Sequence, residues 1–157
     1  MPFPDDLLNP IEGPNPSGAY LRSDPIYLKI KEARDEAEIP PPGMAERDRK
    51  VSDNPKVIEL ASEALIKRTK DLELASWLTE ALLKQNGFGG LRDGLLLCYG
   101  LIEKFWDTVY PRIEDGDLER RAAHLEFIGK KLEIQVNLVP IQEFRIAVLD
   151  QPQSLAE

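Results

Sequence analysis

The chain of 157 residues is poor in the side chains from which catalytic and metal sites are usually built. It contains one histidine, His124, and one cysteine, Cys98. Neither a histidine-based triad nor a cluster of His and Cys ligands can therefore be assembled. A lone cysteine cannot form a disulfide within the chain. Because Cys98 lies in an apolar run, we expect a small core residue and not a nucleophile.

Positive charge is also scarce. The 20 basic residues are outnumbered by 28 acidic ones, which gives a formal net charge of −8. Nucleic acids and anionic membranes attract positive surfaces, so this balance argues against both as partners. The local basic clusters are interleaved with acids and are interpreted as solvated helix faces. These clusters contain Lys67, Arg68, Lys70, Arg120, Arg121, Lys130 and Lys131.

Long hydrophobic runs are missing as well. The most apolar stretch, 94–102, carries no charge, but it is far shorter than the roughly 18 apolar residues of a membrane span. The first residues, MPFPDDLLNPIEGPNPSG, are acidic and interrupted by proline, whereas a signal peptide is basic and then apolar. The sequence thus predicts a cytoplasmic protein that does not insert into a membrane.

What the sequence does contain is centred on the stretch from Asp71 to Pro111. Apolar residues recur there at helical spacing in two segments, and Gly87, Gly89 and Gly90 between them allow the backbone to reverse. The second segment is apolar on nearly every side, so we expect it to form the buried centre of a bundle. The predicted core comprises Trp77, Leu78, Leu95, Cys98, Ile102 and Trp106.

Three further helices are predicted around this pair. The dipeptides Asp24-Pro25 and Asn54-Pro55 each place an N-cap before a proline in the first turn, and a last helix starts at 117 or 118. Their apolar stripes are Ile26, Ile30, Ala33 and Ala37; Val57, Ile58, Ala61, Ala64 and Leu65; and Ala122, Leu125, Ile128, Leu132, Val136 and Val139. The predicted fold is all-α, a compact antiparallel bundle of about five helices. An irregular, proline-rich arm at 1–23 is held to the bundle by apolar side chains.

The C-terminal part leaves helix and hairpin open over residues 132–149. Residues 132–138 continue the helical stripe but also alternate as a strand would, and 144–149 could pair with them. An isolated two-stranded ribbon is marginal in water, so a helix to about Val139 is favoured.

Proline and polar content predict the domain boundaries. One helical domain spans 1–141, and a proline-rich linker at 39–53 lies inside it. Residues 142–157 are expected to be a tail, or the start of a linker to a C-terminal region that this piece of a longer protein lacks.

Several motif-like patterns lack the context that would give them chemistry. In the acidic turn Glu114–Glu119 the glycine comes too early for a calcium-binding loop. The GFGG sequence at 87–90 follows no strand and lacks the spacing of a dinucleotide-binding loop. Carboxylates are plentiful, but none lies in an apolar, aromatic setting that would raise its pKa.

Ordered blocks of residues across the chain match one known family. The blocks are LNPI at 8–11, NPSG at 15–18, LR at 21–22, KRTKDL at 67–72, ASWLTEAL at 75–82, GFGGL at 87–91, FWD at 105–107, YP at 110–111, and Arg121 with LEFI at 125–128. In this order, over about 7–141, they resemble the ImpA N-terminal domain family, the domain that begins TssA proteins of the bacterial type VI secretion system. Thr69, Tyr110, His124 and Phe127 depart from the usual residues, so contacts of the histidine common at position 110 are not carried over.

The resemblance implies a cytoplasmic scaffold or adaptor domain without catalytic activity, cofactor or metal. Its implied partners are protein components of the secretion machine: the baseplate, the membrane complex, and the tail tube and sheath during their assembly. Ring formation of the full-length protein would belong to the C-terminal region.

Phe88, Tyr110 and Arg112 are the candidate residues for a partner interface. Phe88 is an aromatic residue flanked by glycines at a reversal, where complete burial is difficult, and the other two residues flank a proline turn. Trp77 and Trp106 have the residue type of interface anchors. Both are assigned to the core, because Trp77 borders an apolar stripe and Trp106 follows the most apolar helical segment.

Two other classes of function stay open as alternatives. A helical peptide-binding module of the TPR type would show a repeat of roughly 34 residues, and no such repeat is visible. A small enzyme would need a polar cleft that contains an acid or base with a shifted pKa.

Overall fold

The computed structural model describes residues 5–35 and 51–136, and within these ranges the chain is helical and contains no strand of a sheet. A 3-10 turn precedes four α-helices. The elements are the turn Asp5–Leu8, α1 (Pro25–Arg34), α2 (Asn54–Lys67), α3 (Leu72–Phe105) and α4 (Glu119–Val136). The predicted all-α fold is confirmed, and the helix count differs because both central segments belong to α3. Helix α3 packs against α2 and α4, and α1 packs on α2.

The helix starts follow the predicted cap-and-proline pattern. The Asp24 side chain accepts a hydrogen bond from the Ile26 N–H at 2.9 Å, and Pro25 is the first residue of α1. In α2 the predicted cap is wrong by one residue. The N-cap is Asp53, whose carboxylate accepts from the Lys56 N–H at 3.1 Å, while Asn54 is already helical.

Helix α3 is two antiparallel helices joined at Gly87, where the glycine pattern predicted a helix stop. Gly89 and Gly90, predicted to belong to the reversal, are already part of the second helix. Gly87 has φ 60° and ψ −144°, a conformation open only to glycine. A Cβ at Gly90 would lie 2.1 Å from the Leu82 carbonyl oxygen, and one at Gly94 would lie 2.6 Å from the Thr79 side chain. The two halves therefore touch along their length. We call them α3a (72–86) and α3b (88–105).

The buried centre of the bundle is α3a, and the prediction that it is α3b is wrong. Trp77 and Leu78 are buried as predicted, but the polar side chains of Ser76 and Glu80 are buried too. The guanidinium of Arg34, at the end of α1, donates to Glu80 Oε2 at 2.7 Å. It also lies between the rings of Trp77 and Phe127, 5.3 and 5.0 Å from their centroids. Because Arg34 comes from a distant part of the same chain, only the folded structure shows that Glu80 can be buried on the polar face of α3a.

The proline-rich arm is irregular and held to the bundle by apolar side chains, as predicted. Leu7 and Leu21 are buried in the core. Leu8 packs on α3b at Gly100, where an added Cβ would lie 2.5 Å from the Leu8 side chain. On α2 the predicted inward face is confirmed, since Val57, Ala61, Ala64 and Leu65 are fully buried and Ile58 is partly buried.

Helix α4 extends to Val136, which confirms a helix over 132–136; residues 137–149 lie outside the described ranges. Its buried face differs in part from the predicted stripe. Ile128 is buried as predicted, but the predicted Ala122 and Leu125 are exposed. Arg121 is buried in addition, and His124 and Phe127 are half-buried. The buried face is rotated relative to the predicted one because it includes Arg121. A search for apolar residues at helical spacing does not detect a buried arginine.

Most of the predicted linker at 39–53 and the domain boundary at 141 also lie outside the described ranges. Among the described helices, none combines the length and the apolar character that crossing a membrane requires.

Candidate functional site

Three segments of the chain meet beside the start of α3a. We call this meeting point the arm junction, and it comprises residues 15–20, 68–72 and 108–112. Both backbone groups of Lys70 are hydrogen-bonded there. Its N–H donates to the Ser17 carbonyl at 2.8 Å, and its carbonyl accepts from the Tyr110 N–H at 2.9 Å. Ser17 Oγ and Thr108 Oγ1 are 2.7 Å apart. The proline-rich arm is thereby fixed to both ends of α3.

Close packing at the arm junction requires a glycine at position 18. Gly18 has φ 66°, and a Cβ built there would lie 2.2 Å from the backbone oxygen of Arg68. Only a residue without a side chain allows the arm to approach this closely. This contact explains the glycine of the NPSG block.

An aromatic and cationic cluster lies on the outer side of the arm junction. The Tyr20 ring stacks on the Tyr110 ring with centroids 5.0 Å apart, and the Arg112 guanidinium carbon is 5.3 Å from the Tyr110 centroid. Tyr110 is buried; its hydroxyl donates to the Gly18 carbonyl at 2.9 Å and accepts from the Asn15 side chain at 3.1 Å. Arg112 and Tyr20 are exposed. We call these three residues the Tyr20–Tyr110–Arg112 cluster.

Lys70 is fully buried in the arm junction, and its assignment to a solvated face is wrong. Its ammonium donates to the carbonyls of Leu7, at 2.9 Å, and Leu65, and lies 5.8 Å from the centroid of Phe105. Burial lowers its pKa to about 8. A sequence pattern shows that Lys70 is charged, but not that the arm brings a carbonyl to it.

Arg121 is likewise buried, although the sequence placed it in a solvated basic cluster. Its guanidinium donates to the carbonyl oxygens of Trp106 at 2.6 Å, Val109 at 2.8 Å and Pro111 at 2.8 Å. It also lies 4.9 Å from the Trp106 ring centroid. Arg121 therefore ties α4 to the turn that follows α3b.

Asp71 caps α3a from a buried position. Its Oδ1 accepts from the N–H groups of Glu73 at 2.8 Å and Leu74 at 3.4 Å. Its Oδ2 is buried and has no hydrogen-bond partner among the described residues. Burial raises the pKa of Asp71 to about 7. The prediction that no carboxylate lies where its pKa would be raised is therefore wrong. The pKa of Asp71 is raised because this helix cap is buried.

The raised pKa predicts that Asp71 makes folding depend on pH. Between about pH 4, where an unfolded aspartate ionises, and about pH 7, the folded state holds a proton that the unfolded state has lost. The contribution of Asp71 to stability is therefore full below pH 4 and is lost as pH rises to 7. Asp71→Asn keeps an N-cap acceptor but removes this titration. The unfolding free energy of the parent relative to Asp71→Asn should fall by at most about 4 kcal/mol over this window.

Urea denaturation at pH 4, 5, 6 and 7 measures this difference. Asp53→Asn, which makes the same exchange at the exposed cap of α2, is the matched control. A difference between parent and Asp71→Asn that stays constant from pH 4 to 7 would contradict the role assigned to Asp71.

The remaining groups with chemical potential are used structurally. The Cys98 thiol is buried 3.7 Å from Thr79 Oγ1, and burial raises its pKa to about 11, which confirms the prediction of a core residue. Tyr27 donates to Glu73, and His124 Nε2 lies 4.0 Å from the same carboxylate, with its pKa lowered by burial. No group of three or more His, Cys, Asp or Glu side chains able to hold a metal occurs in the described part of the chain.

The outer face of α3b and of Trp106, which directly follows it, is exposed. The predicted burial of Leu95 and Trp106 is therefore wrong. Leu95 and Trp106 are both 43% exposed, and Ile102 is only partly buried. The same face carries three further exposed residues, Phe88 (38%), Leu96 (58%) and Tyr99 (61%). The helix is apolar on nearly every side between residues 94 and 102, but the rest of the domain covers only one side of it.

The structure does not bring the three predicted interface residues together. Phe88 begins α3b, whereas Tyr110 and Arg112 follow its end, and the helix between them is about 25 Å long. Sequence analysis also missed Tyr20, Leu96 and Tyr99. The spacing of exposed aromatic and leucine residues along α3b is the signal that could have identified the last two.

The sequence and the fold are both similar to those of known proteins. The sequence model of a family described as "ImpA, N-terminal, type VI secretion system" matches residues 8–130. The type VI secretion system component TssA1 of Pseudomonas aeruginosa is 33% identical over 111 residues, which are 71% of this chain and 32% of that protein.

A solved structure is also similar: the N-terminal domain, including the conserved ImpA_N region, of the TssA component from Burkholderia cenocepacia. The TM-score is 0.76 at 35% identity, over 90% of this chain and 52% of that one. The chain thus spans about a third of the length of the first relative and about half of the second.

Proposed function

The chain belongs to the ImpA N-terminal family of the type VI secretion system, and from that membership we propose that it is a non-catalytic scaffold or adaptor domain acting in the bacterial cytoplasm. In this proposal the domain binds other protein components of the secretion machine while the baseplate and the tail tube and sheath are assembled. The proposal concerns this domain only, because the chain spans part of its relatives.

The Tyr20–Tyr110–Arg112 cluster is the observation that carries the proposal. Tyrosine and arginine are the residue types enriched at interface hot spots. Tyr110 is held by hydrogen bonds to Gly18 and Asn15, so the stacked rings are ordered before any partner arrives. A preordered surface loses less conformational entropy on binding.

The charge of this surface predicts the chemistry of the partner segment. Arg112 and Arg22 are both exposed, and the Arg22 guanidinium is 3.5 Å from the Tyr20 hydroxyl. On a chain with net charge −8, these guanidinium groups form a local positive site beside exposed aromatic surface. We therefore expect a partner segment that combines carboxylates with an apolar or aromatic side chain.

Substituting the exposed members of the cluster tests this function. Arg112→Glu and Tyr20→Ala should each weaken binding to a purified baseplate or sheath component by about tenfold or more, because hot-spot truncations cost at least ~1–2 kcal/mol. Both variants should melt close to the parent, since neither side chain is buried. Isothermal titration calorimetry against each purified component measures the effect.

Lys130→Glu is the control, because Lys130 is an exposed cation on α4 whose side chain is 81% exposed. It should bind like the parent. If both cluster variants bind every component with the parent's affinity, the cluster is not the docking surface. A shift in melting temperature caused by small molecules, with no component bound, would instead favour an enzyme.

A further inference from the structure

We infer that two copies of this chain pair through the exposed face of α3b, in an antiparallel arrangement whose two-fold axis crosses that face at the level of residue 97, between Leu95 and Tyr99. The inference does not depend on the proposed function, because it concerns the purified chain alone. It is based on the spacing, the exposure and the charge pattern of the residues on that face.

The outer face of α3b follows the repeat of a coiled-coil seam. Six positions recur alternately four and three residues apart. They are Phe88, Arg92, Leu95, Tyr99, the half-buried Ile102, and Trp106, which directly follows the helix. An average spacing of about 3.5 residues keeps one stripe facing a second helix over its whole length. The opposite side of α3b, with Leu97, Cys98, Leu101 and Phe105, is the side buried in this chain's own core.

The face is complementary to itself when one copy is reversed. Leu95 and Tyr99 are each two residues from Leu97, so Leu95 would lie against Tyr99 of the second copy. Phe88 and Trp106 are each nine residues from Leu97 and would meet in the same way. A two-fold symmetric interface needs this self-complementarity, because the same patch serves on both subunits.

The charges on the face agree with the same arrangement. Arg92 is exposed on one side of the axis, and Glu103, which accepts a hydrogen bond from Tyr99 at 3.0 Å, is exposed on the other side. In the antiparallel pair Arg92 would lie beside Glu103 of the second copy. In a parallel pair each charge would instead meet its own kind, which is destabilising. The second copy is therefore the partner that this face fits by both shape and charge.

The size of the face predicts a weak dimer. The 19-residue stripe from Phe88 to Trp106 is about 28 Å long and ~10 Å wide, a smaller footprint than the ~800 Å² that each partner buries in a standard interface. The Trp106 ring at one end is held by the Arg121 guanidinium, so little ordering is needed there. We expect a dissociation constant for the dimer of about 10–100 µM.

Analytical ultracentrifugation of the purified 157-residue chain, at concentrations of about 5 to 500 µM, tests the pairing. We expect a reversible monomer–dimer equilibrium. Leu95→Glu and Tyr99→Asp should each leave the chain monomeric throughout, with parental circular dichroism and melting because both positions are exposed. Leu28→Glu is the matched control, since Leu28 is an exposed leucine on α1 (59%), and it should dimerise like the parent.

A charge exchange tests the direction of the helices. Arg92→Glu and Glu103→Arg should each weaken the dimer, and the double variant should restore it, because the antiparallel pair then has both contacts reversed in sign. A parent that is monomeric at the highest concentration, a dimer that persists in both Leu95→Glu and Tyr99→Asp, or a double variant without restoration would overturn the inference. None of these results bears on the binding of secretion components, which is measured separately.

Discussion

Replacing Arg121 with alanine is expected to lower the free energy of unfolding by about 3–5 kcal/mol. The guanidinium donates to three carbonyl oxygens, those of Trp106, Val109 and Pro111, and two of these bonds are buried. Alanine would leave those carbonyls without their partner, and a buried unpaired polar group costs about 1–3 kcal/mol. This loss is a large part of the 5–15 kcal/mol that typically stabilises a domain.

Arg120→Ala provides the comparison, because Arg120 is the adjacent residue and its side chain is 65% exposed. Its effect should stay within about 0.5 kcal/mol. Arg121→Lys should also destabilise the domain strongly, since an ammonium group cannot present the planar set of donors that reaches three carbonyls. Urea denaturation monitored by circular dichroism measures all three variants, and equal losses for Arg120→Ala and Arg121→Ala would refute the anchoring role.

The second large effect is expected at the glycines after the reversal of α3. A Cβ at Gly90 would lie 2.1 Å from the Leu82 carbonyl oxygen, which is backbone and cannot move aside easily. Forcing this contact must separate α3a from α3b, and overpacking of this kind costs about 3 kcal/mol or more. Gly90→Ala should therefore melt well below the parent or fail to fold.

The neighbouring Gly89 should respond in the opposite direction. It is helical, and nothing lies within 4 Å of a Cβ built on it. Gly89→Ala should stabilise the domain by about 0.5–1 kcal/mol, because alanine favours the helix over glycine. Melting temperatures of the two variants test both signs. If Gly90→Ala were as stable as Gly89→Ala, the close contact between the two halves of α3 would be wrong.

The two buried cations connect stability to the proposed docking surface. Lys70 fixes the start of the arm through the Leu7 carbonyl, and Arg121 fixes the turn that continues into Tyr110 and Arg112 through the Pro111 carbonyl. Two members of the Tyr20–Tyr110–Arg112 cluster, Tyr110 and Arg112, flank the attachment at Pro111. The order of the cluster therefore depends on side chains that no partner would touch.

The sequence by itself determined the elements and, to within a residue or two, where they begin and turn. The cap at Asp24 and the reversal at Gly87 follow from interactions within a few residues, a cap accepting a nearby N–H and a glycine adopting positive φ. The inward face of α2 follows from the helical spacing of its apolar residues. Such interactions depend on local order along the chain. They are therefore visible in the sequence, as are the motif blocks that identify the family.

Only the tertiary structure decided which helix is central and which polar groups are buried. The most apolar segment, α3b, has an open face, whereas α3a buries Glu80 because Arg34 of the distant helix α1 pairs with its carboxylate. Lys70 and Arg121 are inside because carbonyls from remote segments reach them. Hydrophobicity is a property of each residue, but burial depends on which segments meet, and a polar group is buried where a distant partner compensates for the lost water.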